Sequence, residues 1–224
     1  MNKVSKIVIY IPDLKGGGAE KVYLNLANYW TTKGIKVTFI VNKKQGEYLE
    51  LLNKQIKVIN LNVSRIRQAL IKLPFVLHKE KASVCIAAMW PITSLTVLIF
   101  KLFIIKKTKL IISDHVNLTE SIKRETNFNF SLFKLILRLT YPFADGIICV
   151  SEGVKKEICK LAKIKKNKIK AIHNPLIEEK NLKKKEYYKN FKKNNTKTVI
   201  SVGSLKEQKN HESKAKKTSI QASL

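Results

Sequence analysis

The feature that most constrains this chain is an alternation. Short, unbroken apolar runs rich in β-branched residues recur between segments with a helical repeat of apolar positions. Lys6–Pro12 (KIVIYIP) is the first run. From Ala19 to Lys33 the apolar residues then fall at Val22, Leu26 and Tyr29, and at Tyr23, Ala27 and Trp30. That is helical spacing, and Gly34 stands where a helix C-terminus belongs. Val37–Val41 and Gln55–Leu61 read as strands, with a short helix around Tyr48–Leu52 between them. Ile66–Leu77 reads as a helix kinked or broken at Pro74. Ser83–Ala88 and Lys109–Ser113 are further strands, on either side of a helix at Thr93–Ile105. Phe130–Tyr141 reads as a helix with Leu132, Leu135, Ile136 and Leu139 on one face. Gly146–Val150 is a strand, a helix follows Ser151 to about Lys163, and Lys168–His173 is a strand ended by Asn174-Pro175.

Several of these strands have no polar side. Such strands must be covered on both faces, which is the condition of a parallel sheet between helical layers. The expected fold class is therefore α/β, a doubly wound and mostly parallel sheet. Ligands of such sheets sit beyond the carboxyl ends of the strands. Residues 1–176 form the expected domain. Residues 177–197 are charged and polar with little to bury, and read as a linker. Residues 198–224 hold one further strand, Thr198–Gly203, and a polar tail that reads as the remnant of a second such domain. The apolar stretch Cys85–Ile105 is interrupted by Trp90-Pro91 and by Lys101, so a strand followed by a buried helix is expected there, not a membrane span.

Charge narrows the function classes. There are 44 Lys+Arg against 16 Asp+Glu, a formal charge of +28, and only four of the basic residues are Arg. Base-specific nucleic-acid readers depend on bidentate Arg, so no specific nucleic-acid partner is expected. A Lys-rich surface still favours polyanions, including anionic membrane headgroups and nucleotide phosphates. The three cysteines (Cys85, Cys149, Cys159) form no C-x-x-C pair, which argues against a disulfide scaffold or zinc ribbon and for a reducing, cytoplasmic setting. The N-terminus runs straight into a strand and lacks a signal-peptide pattern.

Three loops at strand ends are candidate sites. Gly16-Gly17-Gly18 joins the first strand to a helix, and glycines there would let backbone approach a ligand. The loop matches neither the dinucleotide fingerprint nor a Walker loop, and Asn42 stands where a dinucleotide site has an acid. A plain flexible turn is the alternative. Ser113-Asp114-His115 ends a strand. His115 could contact a substrate hydroxyl or phosphate with Asp114 holding its ring, or it could cap the following helix. Ser151-Glu152 opens a helix whose start could receive an anion, with Ser151 read as its N-cap. Cys149 is expected to be inert packing. No histidine pair or carboxylate cluster has metal-ligand spacing, so no metal is expected.

In order along the chain, KIVIYIP-x-L-x-GGGAEK, IISDH, ADGIICVSEGV, IHNP and VGSLKEQKNHE (Val202–Glu212) resemble the motifs of glycosyltransferase family 4. The resemblance implies the Rossmann-like N-terminal half of a GT-B fold. It implies retaining transfer of a hexose-type sugar from a nucleotide-sugar donor, with no cofactor and no required metal. The acceptor would be lipid-linked or a glycan, in bacterial surface-glycan synthesis, at the cytoplasmic face of the inner membrane. His115 would be the cleft histidine that contacts the sugar. Gly16, Gly17, Gly18, Asp114, Ser151 and Glu152 would bind substrate. Ser204 and Lys209 would meet the donor diphosphate, although many members have Arg at the place of Ser204. The family expects most of a second domain after Lys209-Asn210-His211-Glu212, including a glutamate pair, so this chain alone is expected to be inactive. The competing expectation is a non-catalytic basic module for membrane or polyanion. An oxidoreductase is disfavoured by the incomplete cofactor fingerprint.

Overall fold

A computed structural model describes residues 4–175 except 104 and 106. The linker and second-domain expectations for 177–224, with Ser204 and Lys209, lie outside the described residues. Of the described residues, 4–119 and 128–174 belong to one compact unit, and 120–127 with 175 to a second.

The first unit is built on a seven-stranded sheet in the order β3-β2-β1-β4-β5-β6-β7, every neighbour parallel. The strands are β1 Lys6–Ile11, β2 Lys36–Val41, β3 Lys57–Asn60, β4 Val84–Ala88, β5 Lys109–Asp114, β6 Gly146–Cys149 and β7 Ile169–Ala171. The helices are α1 Gly18–Thr32, α2 Ala69–Glu80, α3 Ile92–Leu102, α4 Leu118–Glu125, α5 Phe130–Thr140 and α6 Glu152–Ala162. α4 begins in the first unit and runs into the second. Within the second unit Arg124 Nε lies 2.7 Å from Glu120 Oε2, one helical turn away.

The doubly wound expectation holds, because continuous apolar strands can only sit between two layers. One face of β1 (Ile7, Ile9, Ile11) packs with Phe39, Ile86 and the α1 residues Tyr23 and Ala27. The alternate residues Val8 and Tyr10 are equally buried, on the other side. α2, α3, α5 and α6 pack in sequence, each on the next. Gly34, with φ 76°, follows the last turn of α1 as its position in the sequence suggested.

Three local expectations change. Residues 66–77 are not one helix broken at Pro74. Ile66–Gln68 is a 3-10 turn, and α2 runs through Pro74 to Glu80, ending at Lys81 in the left-handed region. The short helix near Tyr48 is likewise a 3-10 turn, Glu47–Leu49. On α5 the packed stripe is Phe133, Leu137 and Thr140, while Leu132, Leu135 and Leu139 are exposed. Away from the side of Ser131, Lys134 and Arg138 the helix is apolar over a wide arc, so its sequence does not select which part of that arc packs.

The extension of α2 to Glu80 creates a charged clamp. Glu80 is buried, yet its carboxylate meets Lys6 Nζ at 2.7 Å and Lys57 Nζ at 2.6 Å, and accepts from Thr38 Oγ1 at 3.2 Å. Burial works to raise its pKa, and the two lysines overcome that and hold it below the usual carboxylate range. The clamp ties α2 to β1, β2 and β3 at the end of the sheet where β1 and β2 begin. Glu80→Ala strands the Thr38 hydroxyl and releases two ammoniums, so it is expected to cost about 2–3 kcal/mol. A denaturant midpoint equal to wild type would show the clamp to be energetically idle.

Candidate active site

Strand order reverses between β1 and β4, so the crevice at their carboxyl ends is the natural ligand position. Three segments converge there: the loop after β1, Met89-Trp90 after β4, and Asp114-His115 at the end of β5.

The loop after β1 is braced from outside. Leu14 donates its N–H to Gln45 O at 3.0 Å and accepts from Tyr48 N at 3.1 Å, and Gln45 Nε2 donates to Asp13 at 3.2 Å. Gly17 is the N-cap of α1 and Gly18 its first residue. The Glu47 carboxylate occupies the place where a Cβ on Gly16 would stand, and the Glu20 carboxylate does so at Gly17. Open space lies only at Gly18 among the three. The two carboxylates are the far ends of flexible side chains, so all three glycines stay a candidate for backbone approach to a ligand. Asn42 accepts from the Tyr10 hydroxyl at 2.7 Å, so its side chain is engaged inside the fold.

His115 and Asp114 part company. Successive residues of a strand point to opposite faces. Asp114 has no solvent exposure and points into the layer of α3 and α5, where Tyr141 donates to its Oδ2 at 2.7 Å and Thr93 Oγ1 lies 3.0 Å from the Tyr141 hydroxyl. His115 points the other way, toward α1. Its Nε2 lies 3.1 Å from Ser113 Oγ and 3.5 Å from the Tyr23 hydroxyl, and its ring meets the Tyr23 ring edge-on. Asp114 thus does not hold the imidazole, and it does not face the crevice as a substrate contact. Ser113, which the sequence grouped with them, and Tyr23, which it did not single out for the site, surround the imidazole instead.

The environments set both protonation states. Burial pulls the His115 pKa down to about 4, so the ring is neutral at physiological pH. Burial pushes Asp114 up to about 7. The Tyr141 hydrogen bond works against that rise, and the charge of Glu157 adds to it. Three buried polar atoms lack a partner among the described residues: Trp90 Nε1, Asp114 Oδ1 and His115 Nδ1. Met89 adopts φ 70°, the left-handed region, immediately before Trp90. Such strain in a residue with a Cβ persists only where the surroundings over-determine it.

The helix-cap reading of His115 fails. The first N–H groups of the following helix, from Leu118 and Thr119, are accepted by the Glu157 carboxylate at 3.1 and 2.7 Å. Glu157 comes from α6, and no local pattern marks it. Ser151 is the expected N-cap, its Oγ accepting from Val154 N at 3.2 Å. Glu152 is exposed and lies 3.4 Å from Lys155 Nζ. Cys149 is buried, and burial raises its thiol pKa. Among the described residues no group of three His, Cys, Asp or Glu is placed to hold a metal ion.

The family model described as Glycosyltransferase Family 4 matches residues 16–180. The chain belongs to this family. No curated protein matches it. Among solved structures, Alr3699/HepE of Anabaena in complex with UDP has a TM-score of 0.57 at 16% identity, over 76% of this chain and 44% of that one. The lipopolysaccharide outer core galactosyltransferase WaaB in its apo form has 0.50 at 18%, over 76% and 46%. The UDP-GlcNAc 2-epimerase of Methanocaldococcus jannaschii has 0.50 at 17%, over 75% and 45%. At such identities the likeness is one of fold, and the fold carries more than one chemistry. The family 4 chain described here spans less than half the length of each of these structures. Its sheet is the Rossmann-like architecture of the GT-B glycosyltransferases.

Proposed function

We propose that this chain supplies the acceptor-binding half of a retaining, nucleotide-sugar-dependent glycosyltransferase. The sugar is of hexose type, and the acceptor is a lipid-linked intermediate or growing glycan of bacterial surface-glycan synthesis. The observation that carries the reading is His115, a neutral imidazole held at the switch-point end of the sheet by Ser113 and Tyr23. A neutral imidazole can give or take a hydrogen bond at a sugar hydroxyl without adding charge. UDP in the Anabaena structure supports a nucleotide-sugar donor. Donor diphosphate contacts are proposed at Ser204 and Lys209, where a lysine would offset charge developing on the leaving group. Residues 1–176 would be the acceptor domain, 177–197 a linker and 198–224 the beginning of the donor domain. Catalysis would take place at the cytoplasmic face of the membrane.

The test joins the chain to the donor-binding domain of a family member and follows sugar transfer from a nucleotide sugar to a polyprenyl-diphosphate-linked acceptor. His115→Ala is expected to lower transfer on the order of 10²-fold, as for loss of a positioned polar group. Full activity in the variant would remove the histidine from the mechanism. Transfer unaffected by the acceptor's lipid, with a free glycan accepted equally well, would remove the lipid-linked class.

A further inference from the structure

His115 is the first residue beyond the paired part of β5. Ser113 lies opposite Ala88 and Ile148, Asp114 lies opposite Cys149, and the pairing ends there. The backbone of His115 therefore takes its place from Asp114. Asp114 is itself held by a side chain as well as by the sheet. Its Oδ2 accepts from the Tyr141 hydroxyl at 2.7 Å, and Thr93 Oγ1 lies 3.0 Å from the same hydroxyl. Tyr141 stands in the 3-10 turn after α5 and Thr93 in the first turn of α3. Asp114, Tyr141 and Thr93 are all fully buried. Three elements thus meet at one phenol, on the face of the sheet opposite the imidazole. On its own face the imidazole has longer contacts, 3.1 Å to Ser113 Oγ and 3.5 Å to the Tyr23 hydroxyl. A phenylalanine at 141 with an apolar residue at 114 would fill the same space without burying three polar groups. Packing alone therefore does not account for the hydroxyl.

We propose that Tyr141 is a positioning residue for His115: through Asp114 it fixes the end of β5, and with it the place at which the imidazole meets the acceptor sugar. Tyr141 touches neither the imidazole nor the crevice. Its effect travels through one hydrogen bond and one step of backbone. Transfer chemistry is sensitive to such placement, because a shift of about 1 Å in a reacting group can cost on the order of 10²-fold in rate. The bond is also the firm one of the set, since the ring side of the strand end is held only by the longer contacts to Ser113 and Tyr23. The kinetic part of this role rests on the transfer reading above; the placement of the ring does not.

The experiment has two arms. The first uses the full chain without donor or acceptor and follows the His115 ring by NMR as pH is lowered, its signal assigned by its loss in His115→Ala. In wild type the ring should stay neutral down to about pH 4. In Tyr141→Phe the strand end should loosen and water should reach the ring, so its titration should rise by about one pH unit or more, toward the ordinary 6.5. The hydroxyls of Ser113 and Tyr23 that face the ring do not ionise in that range, Asp114 keeps its proton to about 7, and Glu157 is unaltered, so a rise reports solvation. The second arm joins the chain to a donor-binding domain as above. Tyr141→Phe should lower kcat about tenfold with the acceptor KM within about threefold. In the His115→Ala background it should cost less than about twofold, because nothing is left to place. Thr93→Val keeps the packing and should show both effects at smaller amplitude, which decides the matter if Tyr141→Phe does not fold. Ser94→Ala removes the neighbouring buried contact between α3 and α5, Thr140 Oγ1 to Ser94 Oγ at 3.1 Å, and should leave ring and rate within about twofold of wild type. A ring titration equal to wild type in both Tyr141→Phe and Thr93→Val would overturn the proposal. So would equal rate losses from Tyr141→Phe with and without His115, or a Ser94→Ala variant that loses as much. If no transfer is seen even in wild type, the transfer reading fails and the first arm alone decides the placement of the ring.

Discussion

His115→Ala is expected to make the stability of this chain fall as pH rises from about 4 to about 6.5, by on the order of 3 kcal/mol relative to wild type. Asp114→Asn is expected to do the reverse over the same window. The reason is a proton that changes place on folding. Unfolded, an Asp loses its proton near pH 4 and a His near pH 6.5. Folded, Asp114 keeps its proton to about 7 and His115 takes one only below about 4. The raised carboxyl alone favours folding most below pH 4, and that contribution is lost as pH climbs toward 7. The depressed imidazole alone opposes folding at low pH, and that penalty is relieved as pH climbs through 6.5. Between 4 and 6.5 both states hold one proton, on Asp114 when folded and on His115 when unfolded, so the two slopes cancel. Removing either residue exposes the slope of the other. The groups near this pair are Tyr141, Tyr23, Ser113, Cys149 and Glu157. The measurement is denaturant unfolding of wild type and both variants at several pH values in the window. Parallel curves for all three proteins would show that the proton does not move between these residues.

Gly46→Ala is expected to cost about 4 kcal/mol or more, while Gly18→Ala stays within about 0.5 kcal/mol. Gly46 has φ 116°, where L side chains are strained whatever the space. Space is also lacking, because a Cβ would stand inside the Leu14 carbonyl and the Lys15 amide nitrogen, which are backbone and cannot swing aside. Relief requires the 45–48 segment to separate from the loop after β1. That would break the Leu14–Gln45 and Tyr48–Leu14 hydrogen bonds that brace the crevice. At Gly18 a Cβ meets nothing within 4 Å. Thermal unfolding of the two variants side by side separates a local packing effect from a general intolerance of the glycine-rich region. Equal, small losses would mean that the 45–48 segment yields freely.

The doubly wound parallel sheet was legible because continuous apolar β-branched runs leave few alternatives; the strand order and register come from the structure. What stayed hidden was long-range. Tyr23 is 92 residues from the His115 it approaches, and Glu157 is 39 from the Leu118 amide it accepts. Neither pairing leaves a mark in local spacing. Glu80 was lost for a related reason: ending the helix at Leu77 removed it from consideration before its partners Lys6 and Lys57 were known. The packed part of α5 was not legible, since its apolar arc is wider than the stripe of Phe133, Leu137 and Thr140 that its neighbours cover. One signal was present and unused. Asp114 is the last residue of β5 and His115 the one after it, and the strand's alternation carried one residue further separates their side chains.

The strand order has a consequence for the growing polypeptide. Ile7 lies opposite Val37 on one side and Val84 on the other. As the chain leaves the ribosome, β1, β2 and β3 can pair well before β4 exists. Until Val84–Ala88 emerges, the second edge of β1 is a bare row of amides and carbonyls flanked by isoleucines, an invitation to wrong partners. Closing that edge also spans the longest separation between paired strands, where loop closure slows assembly most. From β4 onward each strand adds to the last one laid down. The vulnerable interval in the biogenesis of this sheet is therefore the wait of β1 for β4.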